Sequence, residues 1–117
     1  MKTLCKIRDI YRSLTDYEQR FEKTYSLCLN EGMLLCSLSD GKRLSSGEIA
    51  EVLKLTTSNA SKVIRTTEAK GLIERTLGDK DKRQMYFSLT PEGEKQLLSI
   101  DCNSVGIPVL LKELLET

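Results

Sequence analysis

Three residues constrain this chain more than any others. Lys54-Leu55-Thr56 is all that separates two stretches of helical periodicity, about 46–53 and 57–70. The first opens on Ser45-Ser46-Gly47-Glu48, which predicts a capping box. In it the Ser45 hydroxyl accepts from the Glu48 amide while the Glu48 side chain reaches back. The second starts behind Thr56, an N-cap residue type, and stops at Gly71, suited to the left-handed position after a helix. Two helices joined by so short a turn form a helix-turn-helix unit.

The segment after the second helix makes the unit a winged one. Beyond Gly71 the period changes from helical to alternating. Leu72–Leu77 and Met85–Leu89 read as strands, with Met85, Phe87 and Leu89 on one face. The polar loop 78–84 between them carries Lys80, Lys82 and Arg83, so the pair is a hairpin with a cationic tip. Thr90-Pro91 then begins a helix, with Thr90 as N-cap and Pro91 at its first position, running to about 101. A break is expected over Asn103–Gly106, and a last short helix over 107–117.

Upstream, Leu4, Ile7, Tyr11, Leu14, Tyr17, Phe21 and Tyr25 recur every three or four residues, which predicts one helix over 3–25. It is long for a chain of 117 residues, so part of its apolar stripe needs cover from elsewhere. A second helix is expected over 29–39, with Met33, Leu34 and Leu38 buried and Cys36 beside them, ending in a turn at Asp40-Gly41. The fold class is therefore mainly α: a winged helix-turn-helix of about six helices with a two- to three-stranded wing sheet.

Composition excludes several functions. There is no histidine, so the commonest general base, the histidine-paired nucleophiles and most transition-metal sites are missing. The cysteines at 5, 28, 36 and 102 form no Cys-x-x-Cys pair, which argues against zinc ribbons and thioredoxin-like chemistry. Neither a metal nor a cofactor is expected, and no catalytic residue is assigned. The first residues hold Lys2, Lys6, Arg8 and Asp9 instead of an apolar run, so we expect no signal peptide, no membrane association and a cytoplasmic location.

Net charge is only +1, but its distribution is uneven. Residues 41–90 carry ten basic and six acidic side chains, whereas residues 91–117 carry two and five. The positive surplus coincides with the winged unit. A DNA major groove admits one helix, whose first residues meet base edges. Thr57, Ser58, Asn59 and Ser61 are short and polar there, and Lys62 and Arg65, one turn on, can reach phosphate or guanine. Lys80, Lys82 and Arg83 can meet the backbone or the minor groove. The bland alternative is a solvated hairpin tip, its cations partly offset by Asp79 and Asp81.

Several segments together resemble the MarR family of winged-helix transcriptional regulators. They are Glu48-Ile49-Ala50, Ser61-Lys62-Val63-Ile64, Lys70-Gly71-Leu72-Ile73-Glu74-Arg75, Asp79-Lys80-Asp81-Lys82-Arg83 and Ser88-Leu89-Thr90-Pro91-Glu92-Gly93. The continuation from cationic wing into Leu-Thr-Pro-Glu-Gly favours DNA contact over the bland reading. The resemblance implies a homodimer that binds double-stranded DNA at an inverted-repeat operator, usually as a repressor, with room for a small-molecule effector. It implies that Arg83 enters the minor groove and that Asp81 orients it by a charge-assisted hydrogen bond. It further implies a single domain in which 1–28 and 91–117 supply dimerisation helices around a winged helix at 29–90. Some members of such a family sense oxidants through an N-terminal thiol, for which Cys5 is the candidate. Burial of the cysteines as small apolar residues is the favoured reading here. The alternative function, from a different class, is a winged helix that binds protein and not DNA. Such a module has less use for the polar helix face and cationic wing that this chain keeps.

Overall fold

The helices begin and end where local side-chain chemistry directs. In a computed structural model of the chain, α1 spans Lys2–Tyr25, α2 Leu29–Ser37, α3 Ser46–Leu53, α4 Thr57–Ala69, α5 Pro91–Cys102 and α6 Val109–Leu115. Strands β1 (Leu44–Ser45), β2 (Ile73–Leu77) and β3 (Met85–Leu89) complete the order. The structure describes residues 2–78, 83–102 and 109–115, with side chains at all of these except 101, 102, 109 and 110. The expected break at Asn103–Gly106 therefore lies outside the described residues. Among the described residues no helix is long and apolar enough to cross a membrane.

The capping box at α3 is complete. Ser45 Oγ accepts from the Glu48 amide at 3.2 Å, and Glu48 Oε1 accepts from the Ser45 amide at 2.9 Å. After Leu53 the chain turns through Lys54, whose φ of 56° is left-handed, and the Leu55 amide donates to Ala50 O at 2.9 Å. Thr56 then caps α4 by accepting from the Asn59 amide at 3.1 Å. Gly71 has φ 75°, the left-handed conformation that a β-carbon would penalise, and this releases the chain from α4 into β2.

The sheet is antiparallel, in the order β1-β3-β2. Leu44 pairs with Phe87, and Arg75 pairs with Phe87 from the other side. Phe87 is the buried residue of β3; Met85 and Leu89 are only half-buried, so the expected alternating face is buried at one position and not three. The sheet is small, and Glu74, Arg75 and Leu77 of β2 are exposed.

The chain divides into two units. One contains α1 and α6, which pack on each other; the other contains α3, α4, α5, the sheet and α2 from Asn30 onward. In the winged unit, Leu34, Leu35, Leu38, Ile49, Ala60, Ile64, Thr67, Ile73, Phe87 and Leu97 are buried. The face of α2 differs from the expectation: Leu35 is fully buried, while Met33 and Cys36 are exposed. Positions 31, 34, 35 and 38 form the inward stripe, and Glu31 extends it as a buried polar residue. Cys5 and Cys28 are exposed too, which overturns the expectation that these cysteines are core residues.

In the other unit, Tyr17, Phe21 and Tyr25 form an aromatic ladder, with successive centroids 6.1 and 4.9 Å apart. Phe21 and Tyr25 are buried, and so is Leu111 of α6. Leu4, Ile7, Tyr11 and Leu14, the N-terminal part of the same stripe, are exposed, as are Leu114 and Leu115.

Candidate nucleic-acid interface

The N-terminal half of α4 presents a polar surface because its apolar residues are drawn inward at helical spacing. Ala60, Ile64 and Thr67 are buried, and Val63 is half-buried. Thr57, Ser58, Asn59, Lys62 and Arg65 are exposed, and Ser61 is half-buried. The six residues that the sequence nominated therefore share one end and one side of one helix. Arg83 is exposed where the hairpin re-enters β3. Lys80, Asp81 and Lys82, and with them the expected Asp81–Arg83 bond, lie outside the described residues. Cys5 is on α1, in the α1–α6 unit.

Several charged residues that position the surface were missed by sequence reasoning. Arg75 on β2 makes a two-point contact with Glu68 of α4: Nε donates to Oε2 at 2.6 Å and Nη2 to Oε1 at 2.8 Å. The hydrogen bonds from Arg75 hold the Glu68 carboxyl below the usual carboxylate range, against a smaller opposing effect of burial. The same bonds raise Arg75 further. Bidentate guanidinium–carboxylate pairs fix orientation as well as distance, so this pair ties β2 to α4. At the C-terminal end of α4, Lys70 Nζ lies 2.7 Å from Oε1 of the buried Glu31 on α2. Arg43, just before β1, donates from Nη2 to Thr76 Oγ1 at 2.7 Å and to Leu77 O at 3.2 Å. Its guanidinium also lies 5.8 Å from the Tyr86 ring centroid, which braces the outer half of the hairpin. No local spacing signals these pairs, because their partners are brought together by the fold.

The wing is seated on the rest of the unit by Thr90 and Gly93. The Thr90 hydroxyl donates to Gly71 O at 2.6 Å and accepts from the Gly93 amide at 3.0 Å, while the Thr90 amide donates to Leu72 O at 3.1 Å. One residue thus caps α5 and fastens it to the start of β2. Gly93 is buried against that same turn, so the Leu-Thr-Pro-Glu-Gly run is a structural clasp at the base of the wing.

Between α4 and the wing sheet lies an open cleft of about 330 Å3, lined by Ser46, Ser61, Ile64, Arg65, Arg75, Met85 and Phe87. Among the described residues no group of three or more His, Cys, Asp or Glu side chains could hold a metal ion.

Comparison with known proteins agrees with this geometry. The model of the MarR family matches residues 29–84. The HTH-type transcriptional regulator YwaE of Bacillus subtilis is 28% identical over 93 residues, covering 76% of this chain and 54% of that protein. The HTH-type transcriptional regulator Hpr of Geobacillus thermodenitrificans is 30% identical over 91 residues, covering 78% and 46%. The chain spans about half the length of these curated relatives. Among solved structures, the transcriptional regulator BldR of Sulfolobus solfataricus superposes with a TM-score of 0.75 at 26% identity, covering 97% of this chain and 77% of that one.

Proposed function

Because the winged helix of this chain belongs to the MarR family, we propose that the protein is a DNA-binding transcriptional regulator, and that it acts as a homodimer repressing from an inverted-repeat operator. The observation that carries the reading is the exposed polar face of α4 beside a wing that ends in Arg83. Thr57, Ser58 and Asn59 occupy the first turn, and the N-terminus of a helix favours phosphate. Asn59 can pair with adenine through two hydrogen bonds. Its side chain is exposed on α4. Lys62 supplies charge one turn later, and Arg83, with Lys80 and Lys82, supplies charge at the wing.

The homodimer is supported by the apolar surface left on the other unit. Leu4, Ile7, Tyr11 and Leu14 run along one side of α1, and Leu114 and Leu115 are exposed on α6, which packs against α1. A continuous apolar stripe of this kind suits a two-fold interface, in which the same patch serves both partners. In this reading α1 and α6 contribute to the dimer interface. A two-fold dimer sets its recognition helices in successive major grooves, about 10 base pairs apart centre to centre.

Selection of bound sequences from a random duplex pool tests the whole reading. An enriched inverted repeat is expected; a pool that yields no common sequence would overturn it. On the selected site, Asn59→Ala should relax the preference at one half-site position, at a cost of about 1–3 kcal/mol. Arg83→Ala should weaken binding to selected and scrambled DNA alike and flatten the salt dependence. Unchanged affinity and slope for Arg83→Ala would remove the wing from the interface and put a protein partner in place of DNA.

A further inference from the structure

We propose that the cleft between α4 and the wing sheet is a seat for one backbone phosphate of the DNA, held by Arg65, Arg75, Ser46 and Ser61. The inference rests on the DNA-binding reading above and goes beyond it, since Ser46 and Arg75 lie on neither the recognition face nor the wing tip. It also decides the role of Arg65, which by chemistry alone could serve either guanine or phosphate.

Position is the first ground. If α4 lies in the major groove and the wing in the adjacent minor groove, one sugar–phosphate strand must cross between them. The cleft occupies that gap, with α4 on one side and β2 and β3 on the other. The donor set is the second. Two guanidinium groups and two hydroxyls line the cleft, and among the described residues no carboxylate does. Such a set presents donors and positive charge, which suits a phosphate diester. Glu68, outside the lining, is committed to Arg75 through Nε and Nη2, and Nη1 takes no part in that pair.

Preorganisation is the third. The Arg75 guanidinium is clamped by Glu68 and lies 5.6 Å from the Phe87 ring centroid. A planar cation paired with a carboxylate beside an aromatic ring is oriented before any ligand arrives, so less rotamer freedom is lost on binding. Ile64, Met85 and Phe87 complete the lining. Glu68 is thus a positioning residue: it aims Arg75 without touching DNA.

The test uses the full chain and the selected duplex, with single phosphates replaced in turn by uncharged methylphosphonate. For the wild type, one replacement between the major-groove half-site and the adjoining minor groove should weaken binding by about tenfold or more, as expected for loss of a charge-assisted contact. In the double variant Arg65→Gln/Arg75→Gln the same replacement should have no effect, because the phosphate has already lost its partners. Both arginines serve one phosphate, so the double variant should lower the salt slope by about 0.9, the value for one contact and not two. Glu68→Gln, which keeps both positive charges, should leave the salt slope unchanged while weakening the response to the methylphosphonate.

A double variant as sensitive to that replacement as the wild type would overturn the proposal, as would a wild type with no sensitive phosphate at the crossing. If these fail while Asn59→Ala and Arg83→Ala behave as described, only the cleft assignment falls. If the wild type shows no salt-dependent binding to any duplex, the DNA reading itself falls. Inorganic phosphate is the second probe. Saturable millimolar binding of it that shifts the Arg65 and Arg75 side-chain resonances, together with an unaltered methylphosphonate profile in the double variant, would assign the cleft to a free anion and overturn the assignment to DNA.

Discussion

Replacing Gly93 by alanine sets two physical expectations against each other. Gly93 is in the first turn of α5, and on helix propensity alone alanine should stabilise by up to about 1 kcal/mol. The structure predicts the opposite. A β-carbon on Gly93 would overlap the Leu72 carbonyl oxygen, and it would lie 3.0 Å from the carbonyl carbon and 3.3 Å from Leu89 Cδ2. Carbon–carbon contacts are comfortable at about 3.5–4.0 Å. The obstacle is backbone, so no side-chain rotation relieves it; α5 or the 71–72 turn must move. That carbonyl also accepts the Thr90 amide, so a shift strains or breaks the bond. Overpacking costs about 1–3 kcal/mol and a lost hydrogen bond about 0.5–1.5 kcal/mol. After the propensity gain is deducted, a net loss of about 2 kcal/mol remains, a sizeable part of the roughly 5–15 kcal/mol that holds a domain folded. Gly47→Ala is the matched control. It also lies in a first helical turn, but nothing stands within 4 Å of its would-be β-carbon. Urea unfolding followed by far-UV circular dichroism should show Gly93→Ala with a lower midpoint at unchanged slope, and Gly47→Ala with an equal or higher one. If both variants shift upward, the close approach of α5 to β2 is not what excludes a side chain at position 93.

Three further outcomes can be measured on the same protein. Ser45→Ala removes the acceptor for the Glu48 amide and should cost about 1 kcal/mol in the same unfolding assay. Glu68, whose ordinary value is 4.5, is depressed in the folded protein by Arg75. Its contribution is therefore present above the unfolded pKa and lost as pH falls through the folded one, so the stability gap between wild type and Glu68→Gln should be open at pH 7 and narrow below about pH 4. Ile7→Glu charges an exposed position, so it should leave the far-UV spectrum intact while halving the mass measured by light scattering; an unchanged mass would exclude this face of α1 from the dimer.

The range of each interaction decides how much of the molecule was legible in the sequence. Every boundary written in local chemistry could be read directly: the Ser45–Glu48 box, the Thr56 and Thr90 caps, the left-handed Gly71 and the long α1 stripe. β1 could not be placed, because two residues have no period; it exists by pairing with Phe87 and Tyr86, more than forty positions away. The buried face of α2 was misjudged for a different reason. Met33, Leu34, Leu35, Cys36 and Leu38 are all apolar, so the pattern lacks the contrast that reveals a face. The residue that settles it is Glu31, an acid that sequence reasoning assigns to solvent and that the fold buries against Lys70.

The candidate site divides along the same line, and the division has a physical meaning. The residues proposed to meet DNA from α4 lie along the N-terminal part of one helix, all but Ser61 exposed, and were nominated from residue type and position. The residues that aim them are not local: Glu68 with Arg75 across the Gly71 turn, Arg43 with Thr76, Lys70 with Glu31. A recognition helix without such braces would present the right chemistry at an undefined angle to the wing. With them, α4 is held at its C-terminal end by α2 and along its side by β2, while its N-terminal turn is left open. The MarR-like Leu-Thr-Pro-Glu-Gly run belongs to this second group. It stands out as a resemblance, yet its work is mechanical: Thr90 fastens α5 to the carbonyl of Gly71, and Gly93 leaves room for that of Leu72. The segment that most strongly suggested DNA binding thus need never meet DNA. It sets the base from which the wing projects, and the angle between wing and helix decides whether both can enter neighbouring grooves at once.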